Sequence, residues 1–203
     1  KRYAQKMLSE LEQAKSCKDV EARLCKMAEW HRGCSDPNEA EALEKVLPGE
    51  DPETYVRRVT RLKLQAALAR MKQLNWPSRP ILCADTTVAL RGEIMGKPRH
   101  AKHALAMLSQ LSGRTHQVLT AVALGEGRRV QLRVQVSQVT FAPLRAEDLK
   151  TYVKSGEPMG KAGAYGIQGM AASFVKTIQG SHSGIMGLPL YETHQLLSHW
   201  VKE

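Results

Sequence analysis

Aromatic residues are scarce in this 203-residue chain: three tryptophans, five tyrosines and two phenylalanines. A surface that stacks many nucleobases on aromatic rings is therefore not expected. Apolar runs are short, and none approaches the roughly 18 residues of a membrane-spanning helix. No basic start followed by an apolar stretch reads as a secretory signal. Cysteine is limited to Cys17, Cys25, Cys34 and Cys83, with no CxxC pair. That argues against a structural zinc site, and reduced thiols in the cytoplasm are the expectation. Three signatures of common chemistry are also missing: the phosphate loop GxxxxGK[ST], the nucleophile elbow GxSxG and the zinc pair HExxH. His100 and His103 share a helical face, which reads as a solvated face rather than a metal site.

What is present is charge. Thirty Lys and Arg against twenty Asp and Glu give a net of +10. Residues 1–50 carry 9 basic and 10 acidic side chains, a net of −1, and residues 51–203 carry 21 against 10, a net of +11. The basic residues are dispersed, without the run that marks a nucleic-acid tail. Nucleic acid and membrane are therefore not expected as partners, and an anionic small molecule is. A nucleic-acid binder stays as the weaker alternative that the total charge allows.

Periodicity outlines an α/β chain. Tyr3, Met7, Leu8, Leu11, Leu24, Met27 and Trp30 follow helical spacing, so residues 3–30 read as one or two charged amphipathic helices. After the turn at 48–52, a helix is predicted over Pro52–Leu74, with Pro52 in its first turn. Ile81–Ala84 is a short apolar run expected to be a buried strand ending at Asp85, with a second short strand near Val88–Leu90. A helix over 100–111 stops at Gly113, and alternation in 118–124 and 130–136 around Gly125-Glu126-Gly127 predicts a hairpin. Short helices are predicted over 145–154 and 190–200. Helices between strands, plus one antiparallel hairpin, predict a mixed sheet.

Three features could carry chemistry. Asp85 at the carboxyl end of a buried strand would lie where open α/β sheets bind ligands, able to hold a metal or accept a proton. Lys97 in the turn Gly96-Lys97-Pro98 could serve as a point charge for phosphate. Glycine recurs at 156, 160, 163, 166 and 169, which would let backbone N–H groups approach an anion, with Tyr165 and Gln168 available to stack on and hydrogen-bond a base. Each has an ordinary alternative: a turn aspartate, a solvated lysine, a structural loop.

Taken together, the ordered segments resemble one family. CADTTVALRGEIMGKP (83–98), MLSQLSGRTHQVLTAVAL (107–124), GEPMGKAGAYGIQG (156–169), GLPLYETHQLL (187–197) and PGEDPETYVRRVTRLK (48–63) are similar to the segments of the Maf proteins, nucleoside triphosphate pyrophosphatases. The similarity runs from about Glu44 to Leu197. It implies an inosine-triphosphatase-like α/β fold, a twisted mixed sheet with helices packed on it. It implies cleavage of a nucleoside triphosphate to the monophosphate and pyrophosphate, a divalent metal (magnesium or manganese), a cytoplasmic location and a possible homodimer. ADT with YGIQG looks like the branch acting on dTTP and UTP. By the resemblance, Asp85 is the general base, Thr86 and Gln168 bear on base specificity, and Lys63 and Lys97 bind phosphate. Glu44 and Asp85 are metal-ligand candidates, with Leu43 where the family has an aspartate beside the glutamate. Gly160 stands where many members have aspartate. Residues 1–41 lack the family's SxSPRR phosphate loop, so the chain divides into a divergent segment, 1–41, and a Maf-like domain, 42–203. Losing two arginine contacts would weaken phosphate binding, each charged hydrogen bond being worth about 1.5–3 kcal/mol. A nucleotide-binding protein with impaired catalysis is the alternative reading.

Overall fold

The computed structural model describes residues 2–13 and 43–202. Helix α1, Arg2–Gln13, opens the chain; the rest of the expected helical segment, residues 14–42, lies outside the described residues. The long helix α2, Pro52–Gln73, begins where the sequence signals it. Asp51 caps it, its carboxylate accepting from the Glu53 and Thr54 N–H groups at 3.0 and 3.1 Å, with Pro52 at the first position, where no N–H is needed. Asn75, with φ of 51°, turns the chain out of it.

Five strands follow: β1 Ile81–Leu90, β2 Glu93–Met95, β3 Thr115–Glu126, β4 Arg129–Phe141 and β5 Val175–Gln179. They form one sheet in the order β2-β1-β3-β4-β5, and every pairing among the described residues is antiparallel. The α/β class holds; the parallel pairing expected of a mixed sheet does not occur among these residues. The 81–84 and 88–90 segments, expected as two short strands, are one continuous β1. Asp85 therefore sits in mid-strand, opposite Ala121 of β3, and not at a strand end. The three polar residues Asp85-Thr86-Thr87 interrupt the apolar pattern, but the ladder with β3 continues through them. β2 pairs only with Val88–Leu90, so β1 from Ile81 to Thr87 has a single strand neighbour among the described residues.

The remaining elements among the described residues are helices α3 Ala101–Leu111, α4 Ala146–Lys154, α5 His182–Met186 and α6 Leu190–Lys202, and 3-10 turns at Ala162–Ala164 and Met170–Phe174. Side chains alternate across a strand, so the sheet divides the core. On one face, α2 packs Tyr55, Val56, Val59, Leu64 and Met71 over Ile81, Ala89, Leu119, Ala121 and Ala123. On the other, α3 and α4 cover Val88, Leu90, Val118 and Phe141, while α6 places Leu197 and Trp200 on Leu124 and holds Met7 of α1. Arg129 of β4 stacks 3.9 Å from the Trp200 ring. Among the described residues, no helix is long and apolar enough to cross a membrane.

The glycine-rich segment is docked rather than free. The Gly163 N–H donates to the Gly96 carbonyl at 3.1 Å, tying it to the turn that carries Lys97. Gly163 has φ of 66°, and a Cβ there would lie 2.9 Å from Val88. Backbone conformation and space both demand glycine. Gly163→Ala is expected to destabilise the fold by about 1–3 kcal/mol, read from urea unfolding. An unchanged midpoint would show that this docking is not needed.

Candidate active site

The site is assembled on the α2 face of the sheet, and α2 supplies most of the scaffold. Tyr55, Val59 and Lys63 recur every four residues, so one stripe carries a phenol, an apolar contact and an ammonium toward β1. The Tyr55 hydroxyl donates to the Glu44 carbonyl at 2.9 Å. Burial, reinforced by the nearby charges of Asp85 and Glu44, pushes this phenol up to about 12, so it stays a donor. One turn on, Arg58 grips Glu50 with two nitrogens, at 2.6 and 2.7 Å, and donates to the Lys45 carbonyl at 2.9 Å. Such paired guanidinium–carboxylate bonds fix orientation as well as position. Tyr55 and Arg58 thus strap residues 43–50 along the helix and deliver Glu44 to the sheet.

Four of the residues expected from the sequence come together there. The Lys63 ammonium donates to Glu44 Oε1 at 2.7 Å and to Asp85 Oδ1 of β1. Lys97 Nζ donates to the other Glu44 oxygen at 2.5 Å. The cluster is graded: Asp85 has 13% of its side chain exposed, Glu44 18%, Lys63 23% and Lys97 53%. Burial raises the Asp85 carboxyl above its ordinary value, and Lys63 offsets this only in part. Burial also opposes ionisation of Glu44, but hydrogen bonds from Lys63 and Lys97 outweigh it and hold that carboxyl low. Burial alone would lower Lys63; its two carboxylate partners keep it above the ordinary lysine value. The result is one carboxylate made more basic beside two cations. Cys83, two residues before Asp85 on the same face, is pushed up to about 12 by burial and stays a thiol.

Thr86 and Gln168 stand apart. Thr86 points to the opposite face of the sheet, where its hydroxyl is 2.9 Å from that of Thr120, which in turn donates to the Gly184 carbonyl of α5 at 2.7 Å. Gln168 is exposed at the tip of the glycine-rich loop, and no hydrogen bond among the described residues joins it to the cluster. Tyr165, expected to be free for stacking on a base, is a core residue: its hydroxyl is 2.8 Å from His116 Nε2 and its ring packs edge-on against Phe141. His116 is held neutral by burial, with its pKa lowered to about 4. The sequence marks Tyr55 only as part of the buried side of its helix, and Arg58 and Glu157 were not among the expected site residues. Glu157 accepts from the Tyr152 hydroxyl and from the Met170 N–H, both at 3.0 Å, which shapes the turn that presents Gln168. The four-residue spacing from Tyr55 to Lys63 was the available signal for the first of them; Arg58 and Glu157 act through contacts made only in the folded chain.

Glu44 and Asp85 also bear on the expected metal. Among the described residues, no group of three or more His, Cys, Asp or Glu is placed to hold an ion. Two carboxylates, completed by phosphate oxygens and water, are the donor set of an ion that arrives with a nucleotide, since magnesium is commonly held by one or two carboxylates plus substrate phosphates. The residues fit that arrangement.

Two carboxylates chained through two lysines form a half-buried cluster whose ammonium groups have the chemistry to receive phosphate oxygens. Residues 18–200 match the family described as Maf-like protein. The chain is 56% identical over 159 residues to a dTTP/UTP pyrophosphatase of Albidiferax ferrireducens, covering 78% of this chain and 80% of that protein. It is 58% identical over 169 residues to a dTTP/UTP pyrophosphatase of a Polaromonas species, covering 83% and 84%. A third protein of the same name, from Cupriavidus metallidurans, is 56% identical over 159 residues, covering 78% and 80%. This chain belongs to the Maf-like protein family.

Lys63 is the cation both carboxylates share. In Lys63→Ala, Asp85 and Glu44 face each other without it, and the Asp85 carboxyl rises further. A carboxyl raised by folding supports the fold while protonated and opposes it once pH climbs through its folded value. The stability deficit of Lys63→Ala is therefore expected to widen as pH rises above about 4, the ordinary aspartate value, measured by urea unfolding. A deficit independent of pH would contradict the shared-cation account.

Proposed function

We propose that this chain hydrolyses dTTP and UTP to the nucleoside monophosphate and pyrophosphate. The observation that carries the reading is the convergence of Asp85, Lys63, Glu44 and Lys97 in one half-buried cluster, in a chain 56% identical over 159 residues and 58% identical over 169 to proteins named for that activity. Asp85, made basic by burial, accepts a proton from the attacking water. The water oxygen bonds to one phosphorus of the α–β bridge, the bridge P–O bond at that phosphorus breaks, and the bridge oxygen leaves on the other. Lys63 and Lys97 transfer their hydrogen bonds from carboxylate to phosphate oxygens, offsetting the charge that gathers on the leaving phosphate group. Glu44 and Asp85 would hold a magnesium or manganese ion brought by the nucleotide, which supplies further neutralisation of phosphate charge. Gln168 offers the pyrimidine an amide donor and acceptor, and Thr86 acts on base choice from the far side of β1. Such an enzyme draws on the cytoplasmic nucleotide pool, where we place this protein.

Asp85→Asn removes the base while keeping its shape. Pyrophosphate release from dTTP and UTP is expected to fall by about 10²–10⁴-fold, with the circular dichroism spectrum unchanged. The wild type should lose activity as pH falls through the raised Asp85 value, because only the ionised carboxylate takes a proton. A variant as active as wild type would overturn the assignment.

A further inference from the structure

A second feature lies on the other side of Lys97. Between the β1–β2 hairpin and α3 is a cavity of about 590 Å³. Glu44, Lys63 and Asp85 do not line it; Lys97 is the one residue of the catalytic cluster that does. Among the described residues that line it, the other lysine or arginine cations are Arg91, Arg99 and Arg114, and Glu93 is the one carboxylate. The Arg114 guanidinium donates to the Gln110 carbonyl at 3.0 Å, and among the described residues none of the three arginines is in an ion pair. The floor is apolar and buried, formed largely by Met95 and Met107.

Each element of this cavity constrains what it holds. Its volume falls in the range of small-molecule sites and suits a ligand of nucleotide size. Guanidinium forks match the geometry of phosphate oxygens, and three of them without carboxylate partners favour a ligand carrying a phosphate group. Methionine adapts to flat apolar surfaces, so the floor suits a ring rather than a second charged end.

We propose that this cavity is a second binding site, distinct from the catalytic cluster, for a phosphorylated small molecule of nucleoside monophosphate size. The phosphate lies among Arg91, Arg99 and Arg114, and the ring rests on Met95 and Met107. The choice of a nucleotide rests on the proposed function, because that reaction releases a monophosphate beside the cavity. Lys97 joins the two sites: it pairs with Glu44 on one side and lines the cavity on the other, so a ligand that draws it away changes the pairing of Glu44.

The test is calorimetric titration of the full chain with dTMP, comparing wild type with Arg99→Ala/Arg114→Ala. Both arginines are exposed at the rim, and neither belongs to the catalytic cluster. Two molecules of dTMP per wild-type chain and one per variant chain is the expected result. One per wild-type chain and none per variant chain also supports the cavity, and counts instead against nucleotide binding at Asp85. Equal stoichiometry in the two proteins, including no binding to either, overturns the proposal. Arg91→Glu is an independent check that reverses charge at one rim position, and it should lose the same site.

Discussion

The ammonium of Lys63, shared between Glu44 and Asp85, is the interaction on which the rest of the site depends. Two carboxylates and two lysines in a half-buried cluster would be costly if any charge stood alone, because unpaired charge loses its hydration. The cluster avoids this by chaining its charges, Asp85 to Lys63 to Glu44 to Lys97. In the proposed reaction the triphosphate, with its several negative charges, draws both lysines onto its oxygens, which would leave Asp85 free to accept a proton and Glu44 free to face a metal ion.

The sheet decides what can meet. Because Asp85 occupies the middle of β1 and not its end, its neighbour Thr86 is directed to the opposite face, toward Thr120 and α5. A ligand touching both must lie along the edge of β1 between Ile81 and Thr87, where the described residues supply only one strand neighbour. That edge, with the docked turn at Gly96 and Gly163 beside it, links the cluster to the glycine-rich loop.

Local signals were legible where one element sufficed. The capped start of α2 at Asp51-Pro52 and the hairpin around Gly125-Glu126-Gly127 follow from residue chemistry alone. Asp85 and Lys97 stood out by residue chemistry, Lys63 and Glu44 through the resemblance to family segments, and the fold shows what brings the four together: a helix stripe, a strapped segment, a strand and a turn. The extent of β1 was not legible, because three polar residues ended the apolar run while pairing with β3 carried the strand onward. Tyr165 looked available to a base because a glycine-rich neighbourhood reads as exposed, yet His116 and Phe141, distant in sequence, bury it. Arg58 and Glu157 were invisible for the same reason, as their partners are brought close only by tertiary packing.

The most direct test is a crystal structure of the protein with magnesium and a dTTP analogue whose α–β bridge resists hydrolysis. The account predicts Lys63 and Lys97 within hydrogen-bonding distance of phosphate oxygens, Asp85 facing the α–β bridge, and both lysines released from Glu44. A nucleotide bound elsewhere, with the Asp85–Lys63–Glu44–Lys97 chain intact, would contradict it.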